Sequence, residues 1–182
     1  MGVRLNMNST ALIDAIAFAA DKHRNQRRKD AEASPYINHP IALARVLAVE
    51  AGIDDIEVLI AAILHDTIED TQTTREELVE RFGEPIASIV AEVTDDKSLS
   101  KEQRKALQIE HAATLSPKAK LVKLADKICN LRDVRHFPPE GWSIGRKREY
   151  FAWAAMVVAG LRGTNPTLEG LFDAAHAGKP AE

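Results

Sequence analysis

At 182 residues the chain is about the size of one typical domain and long enough to bury a core. Hydrophobic residues make up 45% and charged residues 28%, which excludes disorder and low-complexity character; a net charge of −3 disfavours a protein that coats DNA or RNA but leaves a small phosphorylated ligand open. Twenty-eight alanines against nine aromatic residues favour closely packed helices over a sheet.

In chain order, nearly every segment reads as a helix with its own start signal, so the expected fold class is all-α, a single-domain multi-helix bundle spanning 1–182. Asn8-Ser9 is placed to cap a helix running to about His23, followed by a loop from Arg24 to Asn38 with a basic run. A second helix starts at Pro40, where the missing N–H costs nothing, and stops near Gly52. A third runs continuously from about Ile56 to Asp70. Thr74 with Glu77 forms a capping box for a short helix ended by Gly83, and Pro85 opens the next, which ends near Asp95-Asp96. Ser100 with Gln103 repeats the capping pattern. Ser116-Pro117 starts a long helix to about Arg135; Phe137-Pro138-Pro139-Glu140-Gly141 interrupts, and further helices cover Ser143 to Arg162 and Pro166 to Ala177. The core is expected at about 9–163, with the last helix at about 166–177.

The lone cysteine, Cys129, excludes an internal disulfide and reads as a small core residue suited to a reducing compartment, so a cytoplasmic location is expected. No signal-peptide pattern opens the chain, and Met1-Gly2 is followed by Asn6 where myristoylation requires Ser or Thr. The apolar stretches at Val58 to Leu64 and Trp153 to Leu161 fall short of the ~18 residues of a membrane span and read as core.

At ~100° per residue the third helix places Ile56, Leu59, Ile60, Ile63 and Leu64 on one face and His65, Asp66, Glu69 and Asp70 on the other. Three carboxylates then crowd the last turn, where the helix dipole is negative, and a cation is expected beside them. The long helix adds a matching face. Its apolar stripe, Leu121, Leu124, Ala125, Ile128 and Leu131, adjoins Asp126, Asn130 and Asp133. An isolated buried Asp126 is costly unless it binds metal or pairs, and Lys123 or Lys127 is at hand for pairing. His39, fixed between Tyr36-Ile37-Asn38 and Pro40, is the third piece. Together His39, His65, Asp66 and Asp126 make a two-nitrogen, two-oxygen set that suits Mn²⁺, Fe²⁺ or Zn²⁺ with positions left for water and substrate. Glu69 and Asp70, one turn away, are placed to orient water or carry protons.

The order His39, His65-Asp66, Asp126 resembles the HD-domain metal-dependent phosphohydrolases. Arg27-Arg28-Lys29, Pro35-Tyr36-Ile37-Asn38-His39-Pro40, His65-Asp66-Thr67-Ile68-Glu69-Asp70, Val93-Thr94-Asp95-Asp96-Lys97 and Leu121-Val122-Lys123-Leu124-Ala125-Asp126-Lys127 resemble the hydrolase domain of the RelA/SpoT homologues. The similarity is strongest to the stand-alone small alarmone hydrolases of metazoan SpoT-homologue type, over about Ala11 to Gly163. That resemblance implies one Mn²⁺ per chain on His39, His65, Asp66 and Asp126, with Zn²⁺ or Fe²⁺ as substitutes and Glu69 and Asp70 activating water. The implied reaction takes the 3′-pyrophosphate from ppGpp or pppGpp. Arg28 and Lys29 match the basic pair that contacts the nucleotide, and Asn130 the asparagine near its ribose. Trp142, Arg146 and Tyr150 resemble the segment closing over the nucleotide, although Trp142 suits packing equally. Lys97 either reaches a phosphate or neutralises its neighbours. His23, His111, His136 and His176 read as surface or packing residues. The expected partner is a guanosine nucleotide, with neither nucleic acid nor membrane; the oligomeric state is open. Two rival readings remain, a 2′-phosphatase of NADPH using the same site and a non-catalytic alarmone sensor. The length leaves no room for a synthetase domain.

Overall fold

The computed structural model describes residues 7–181; Met1, Gly2 and Asn6 of the N-terminal reading lie outside them. The helices are α1 (Met7–Lys22), α2 (Asn38–Arg45), α3 (Ile56–Leu64), α4 (Thr67–Asp70), α5 (Arg75–Phe82), α6 (Glu84–Val93), α7 (Lys101–His111), α8 (Pro117–His136), α9 (Ile144–Ala159) and α10 (Pro166–Ala177). Among the described residues the sole β pairing is one bridge between Arg27 and Pro35. The all-α expectation holds.

The caps set most helix starts. Thr74, Ser100, Ser116, Ser143 and Asn165 each accept a backbone N–H from inside the first turn. At Ser100 the box closes in both directions with Gln103. At Thr74 it is half made, because Glu77 turns outward to pair with Lys22 of α1 at 2.7 Å. Asn8-Ser9 lies inside α1 and does not cap it. The helix expected from Pro40 starts two residues earlier at Asn38, and its Pro40 still falls in the first turn, where an N–H has no helical partner. Its end loosens into a π-helical turn, Val46–Glu50, before Gly52 reverses the chain at φ +68°.

Helix α3 is the hub. Val58 through Leu64 are all buried, against α1, α2, α6 and α8. The continuous helix expected to Asp70 is broken after Leu64. Asp66 takes φ −100°, ψ 0°, and α4 restarts at Thr67. Two side chains stabilise the break by occupying carbonyls there: His65 Nδ1 donates to the Ala62 oxygen at 2.8 Å, and the buried Thr67 hydroxyl to Leu64 at 2.6 Å.

Helix α8 is buried far more completely than one stripe suggests. Lys123, Asp126, Lys127 and Cys129 join its apolar residues inside, while Leu121 is only partly covered. α9 lays Phe151, Trp153, Ala154, Val157 and Val158 into the same core, followed by Leu161, and α10 packs across α8. No helix of the described chain is long and apolar enough to cross a membrane.

The end of α9 meets the short turn Ala112–Thr114 so closely that a Cβ on Gly160 would lie 2.7 Å from the Ala112 Cβ and 3.1 Å from the Ala113 nitrogen. Backbone and a rigid methyl cannot yield cheaply, so Gly160→Ala is expected to cost about 1–3 kcal/mol. The readout is a lower urea midpoint with an unchanged slope; an unaltered midpoint would show that this contact relaxes freely.

Candidate active site

The break after α3 aims His65 inward, the start of α2 supplies His39, and α8 supplies Asp126. All three are buried. One ligand atom from each lies within 4.8 Å of the others. Asp126 Oδ1 is the focus, 3.3 Å from His39 Nε2 and 4.0 Å from His65 Nε2. Asp66 stands beside this trio, its Oδ2 2.9 Å from His65 Nε2 and also accepting from the Tyr36 hydroxyl.

A test for a cation is what the buried atoms lack. His65 Nδ1 is committed to Ala62, whereas its Nε2 is buried without a hydrogen-bond partner and faces two carboxylates. His39 Nδ1 is likewise buried and unpartnered. A neutral imidazole fixed in that way presents a lone pair to anions, an arrangement that a divalent ion or a proton resolves. The residues present therefore fit a metal of mixed nitrogen and oxygen preference. Burial opposes charging His65, but the carboxylates of Asp66 and Asp126 prevail and push it up to about 9. Burial would raise Asp126; Lys127, His39 and His65 hold it well below the usual range instead.

Glu69 and Asp70 sit one turn beyond Asp66. The Asp95 backbone N–H donates to Glu69 Oε2 at 3.1 Å, and Arg104 stands 3.6 Å from Oε1. Burial pushes Glu69 up to about 7; the Asp95 N–H opposes this while Asp66, Asp95 and Asp70 add to it. Asp70 accepts from Gln26 at 2.8 Å and pairs with Lys97. These groups line a polar chamber of about 200 Å³, which adjoins a cleft of about 730 Å³ bordered by Arg28, Lys29, Trp142 and Tyr150. Tyr36, His39, Asp70, Asn130 and Tyr150 face both. The larger volume suits a nucleotide-sized ligand.

Residues 15–152 match the family of HD domains. The chain belongs to the HD-domain family. It is 57% identical over 169 residues to the guanosine-3′,5′-bis(diphosphate) 3′-pyrophosphohydrolase MESH1 of Xenopus tropicalis, covering 93% of this chain and 94% of that protein. To the protein of the same name from Homo sapiens it is 59% identical over 165 residues, covering 91% and 92%. A solved structure described as a metazoan orthologue of SpoT that hydrolyses ppGpp and plays a role in starvation responses superimposes with a TM-score of 0.89. Identity there is 48%, over 96% of each chain.

Within this HD domain the expected residues divide. His39, His65 and Asp126 converge with Asp66 adjoining; Glu69 and Asp70 line the chamber; Arg28, Lys29, Asn130, Trp142 and Tyr150 line the cleft. Lys97 pairs with Asp70, a carboxylate 27 positions away in the sequence. Arg146 lies 4.4 Å from the Trp142 ring centre and is not part of the lining of the chamber or the cleft. Because of the break, Glu69 and Asp70 close the four-residue helix α4 and do not end one long helix from Ile56, as the continuous periodicity led one to expect. Asn130 donates to Asp126 Oδ1 at 2.5 Å, and Lys127 to Oδ2 at 3.0 Å; that pairing is buried, not a surface one, while Lys123 donates to the Val93 carbonyl. Asp133, to which sequence reasoning gave no role, pairs with Arg28 in the cleft. Tyr36 and Gln26 were also missed as the groups holding Asp66 and Asp70, and His23, expected as a surface or packing residue, is buried against Tyr36 and bonded to Gln26.

Two pH-linked outcomes follow for the metal-free protein. His65, at 6.5 when unfolded and about 9 when folded, contributes stability that is complete below about pH 6.5 and lost as pH rises through about 9. Cation loading at pH 7.5 should then displace that proton, visible as a buffer-dependent binding enthalpy in calorimetry; identical enthalpies in phosphate and Tris would contradict it. Glu69, from 4.5 to about 7, has the same sign, its contribution gone above about pH 7. Glu69→Gln should raise the thermal midpoint by several degrees at pH 8 and leave it nearly unchanged at pH 4.5; equal midpoints of variant and parent at pH 8 would show that no such cost exists.

Proposed function

We propose that this chain is a 3′-pyrophosphohydrolase of guanosine 3′,5′-bis(diphosphate), yielding GDP and pyrophosphate, or GTP from the pentaphosphate, and so lowering the alarmone. The observation that carries this reading is the buried His65 Nε2, without a hydrogen-bond partner and facing Asp66 and Asp126, in a chamber that Glu69 also lines and that adjoins a cleft bordered by Arg28 and Lys29. The names of relatives matching more than nine-tenths of the chain support it.

His39, His65 and Asp126, with Asp66 beside them, would hold the divalent cation, which we take to be Mn²⁺, with Zn²⁺ or Fe²⁺ equally suited to the donors. Bound there, it supplies Lewis acidity toward a phosphoryl oxygen and toward water. Glu69 is the general base: with its carboxyl raised to about 7 it accepts a proton near neutral pH. Asp70, fixed by Gln26 and Lys97, orients the attacking water. The new bond joins water oxygen to the phosphorus on the 3′ side; the bond to the ribose 3′-oxygen breaks, and that oxygen ends as a hydroxyl. Arg28 and Lys29 pair with phosphates, and the Arg28 guanidinium also offers a plane for the purine. Asn130 keeps its carbonyl oxygen for a ribose hydroxyl, since its amide is given to Asp126. We assign the whole chain to one hydrolase domain, working in the cytoplasm, where Cys129 stays reduced.

A second reading has one observation in its favour. Trp142 and Tyr150, 5.7 Å apart, put an aromatic wall on the cleft that a nicotinamide could use. The sensor reading is weaker, because Glu69 and Asp70 repel a polyphosphate without serving a pure binder. Incubating Mn²⁺-loaded protein with ppGpp and, separately, NADPH resolves these. Pyrophosphate from the first is expected; orthophosphate from the second alone would transfer the assignment, and turnover of neither would remove both. Glu69→Gln should keep the cation and lose at least ~100-fold in turnover, while Asp126→Ala loses both. Parental activity in Glu69→Gln would take Glu69 out of the mechanism.

A further inference from the structure

Asp133 is an acidic residue in a cleft proposed for a polyanion, and its surroundings explain why it is there. Its Oδ2 accepts from Arg28 Nη2, and the same oxygen stands 3.9 Å from His39 Nδ1. That Nδ1 is buried and without a hydrogen-bond partner. One oxygen therefore lies between the arginine of the cleft and a histidine of the cation site, and it is bonded only to the arginine.

The tautomer of His39 decides which of the two it serves. In the structure Nε2 faces Asp126 Oδ1 at 3.3 Å, and Nδ1 makes no hydrogen bond. A cation held at Nε2 would require the lone pair there, and the neutral ring would then carry its proton at Nδ1, as a buried N–H directed toward Asp133. Metal-bound imidazoles regularly donate that second N–H to a carboxylate, which fixes ring orientation and strengthens the ligand. A shift of about 1 Å brings 3.9 Å within hydrogen-bond range.

We propose that Asp133 is a shared acceptor coupling the cation site to Arg28: loading draws Asp133 toward His39 and frees the Arg28 guanidinium for the incoming phosphate. The protein keeps Arg28 neutralised until the site is ready for substrate. Asp133 is thus a positioning residue, acting through His39 on one side and Arg28 on the other. The proposal rests on the metal-site reading above and needs no assumption about which nucleotide is the substrate.

The test is Mn²⁺ affinity by calorimetry without nucleotide, on the intact chain. Asp133→Ala should weaken binding about tenfold, since the Nδ1–H loses its acceptor. Arg28→Met should strengthen it several-fold, because Asp133 is then released to His39 from the start. Once Asp133→Ala is present, adding Arg28→Met should have no effect. If the gain from Arg28→Met persists undiminished in that double variant, the cause is charge at a distance and the coupling is refuted; unchanged affinity in both single variants refutes it as well. Should Asp133→Ala fold poorly by circular dichroism, Arg28→Met alone still decides, since parental affinity there overturns the proposal. Absence of Mn²⁺ binding by the parent protein would overturn the metal-site reading itself, and this inference with it. Tight Mn²⁺ binding without ppGpp turnover would instead fault only the substrate assignment.

Discussion

Where α3 stops at Leu64, the carbonyls of Ala62 and Leu64 are taken by the side chains of His65 and Thr67, and everything at the site follows from that exchange. Committing Nδ1 to a backbone oxygen leaves the ring one degree of choice: its Nε2 points inward toward carboxylates. The two-residue interruption at His65 and Asp66 also turns the chain, and Glu69 and Asp70 then close the short helix α4 that follows it. A helix continued to Asp70 would have spread the same four ionisable groups over an arc. The break instead gathers them at one point, and the buried run Val58 to Leu64 anchors it so that the unfavourable cluster cannot relax outward.

Clustering carboxylates inside a protein is expensive, and the fold answers each with its own cation or donor. Lys127 pairs with Asp126 and lies 4.4 Å from the Trp153 ring centre, so its charge is held from both sides. Lys97 serves Asp70, Arg104 stands by Glu69, Tyr36 donates to Asp66, and Arg28 serves Asp133. A net charge of −3 thus conceals a dense alternation of signs around one chamber. His65 Nε2, buried without a hydrogen bond and facing Asp66 and Asp126, is what this scheme leaves unmatched at the chamber, and it is the physical argument for a divalent ion. Glu69 is the group least compensated, which is a cost in stability and a condition for acting as a base near pH 7.

The parts legible in the sequence were those decided locally. Ser100 with Gln103, Ser116-Pro117, Ser143 and Pro166 mark helix starts within one to four neighbouring residues, and the structure uses each as a cap or first turn. The break at Asp66 was not legible, because apolar spacing before it and carboxylates after it both suit a helix; it depends on Thr67 and His65 preferring backbone carbonyls once packed. Asn8-Ser9 failed as a cap for the opposite reason, since a local signal was overridden by a longer helix. At the site, His39, His65 and Asp126 could be singled out because few roles suit those residues in that order. Tyr36, Gln26 and Asp133 could not, being half-buried polar residues with no local signal, whose meaning comes from what stands opposite them some 30 to 105 positions away.

Binding and chemistry cannot be separated cleanly in this molecule. The small chamber and the larger cleft share Tyr36, His39, Asp70, Asn130 and Tyr150 as their common wall. Asn130 shows the consequence: one amide steadies Asp126 while the rest of the same group faces the cleft, so any ligand that reorients it also disturbs a metal-site carboxylate. Tyr36 repeats the pattern, its hydroxyl on Asp66 and its ring 5.7 Å from the Arg28 guanidinium. A ligand filling the cleft correctly therefore presses on the residues that set the chamber's geometry, and one filling it wrongly presses on them differently. On the function proposed, discrimination between nucleotides would reside in this wall and not in the residues proposed for the cation, since a cation cradle alone treats one phosphoryl group much like another.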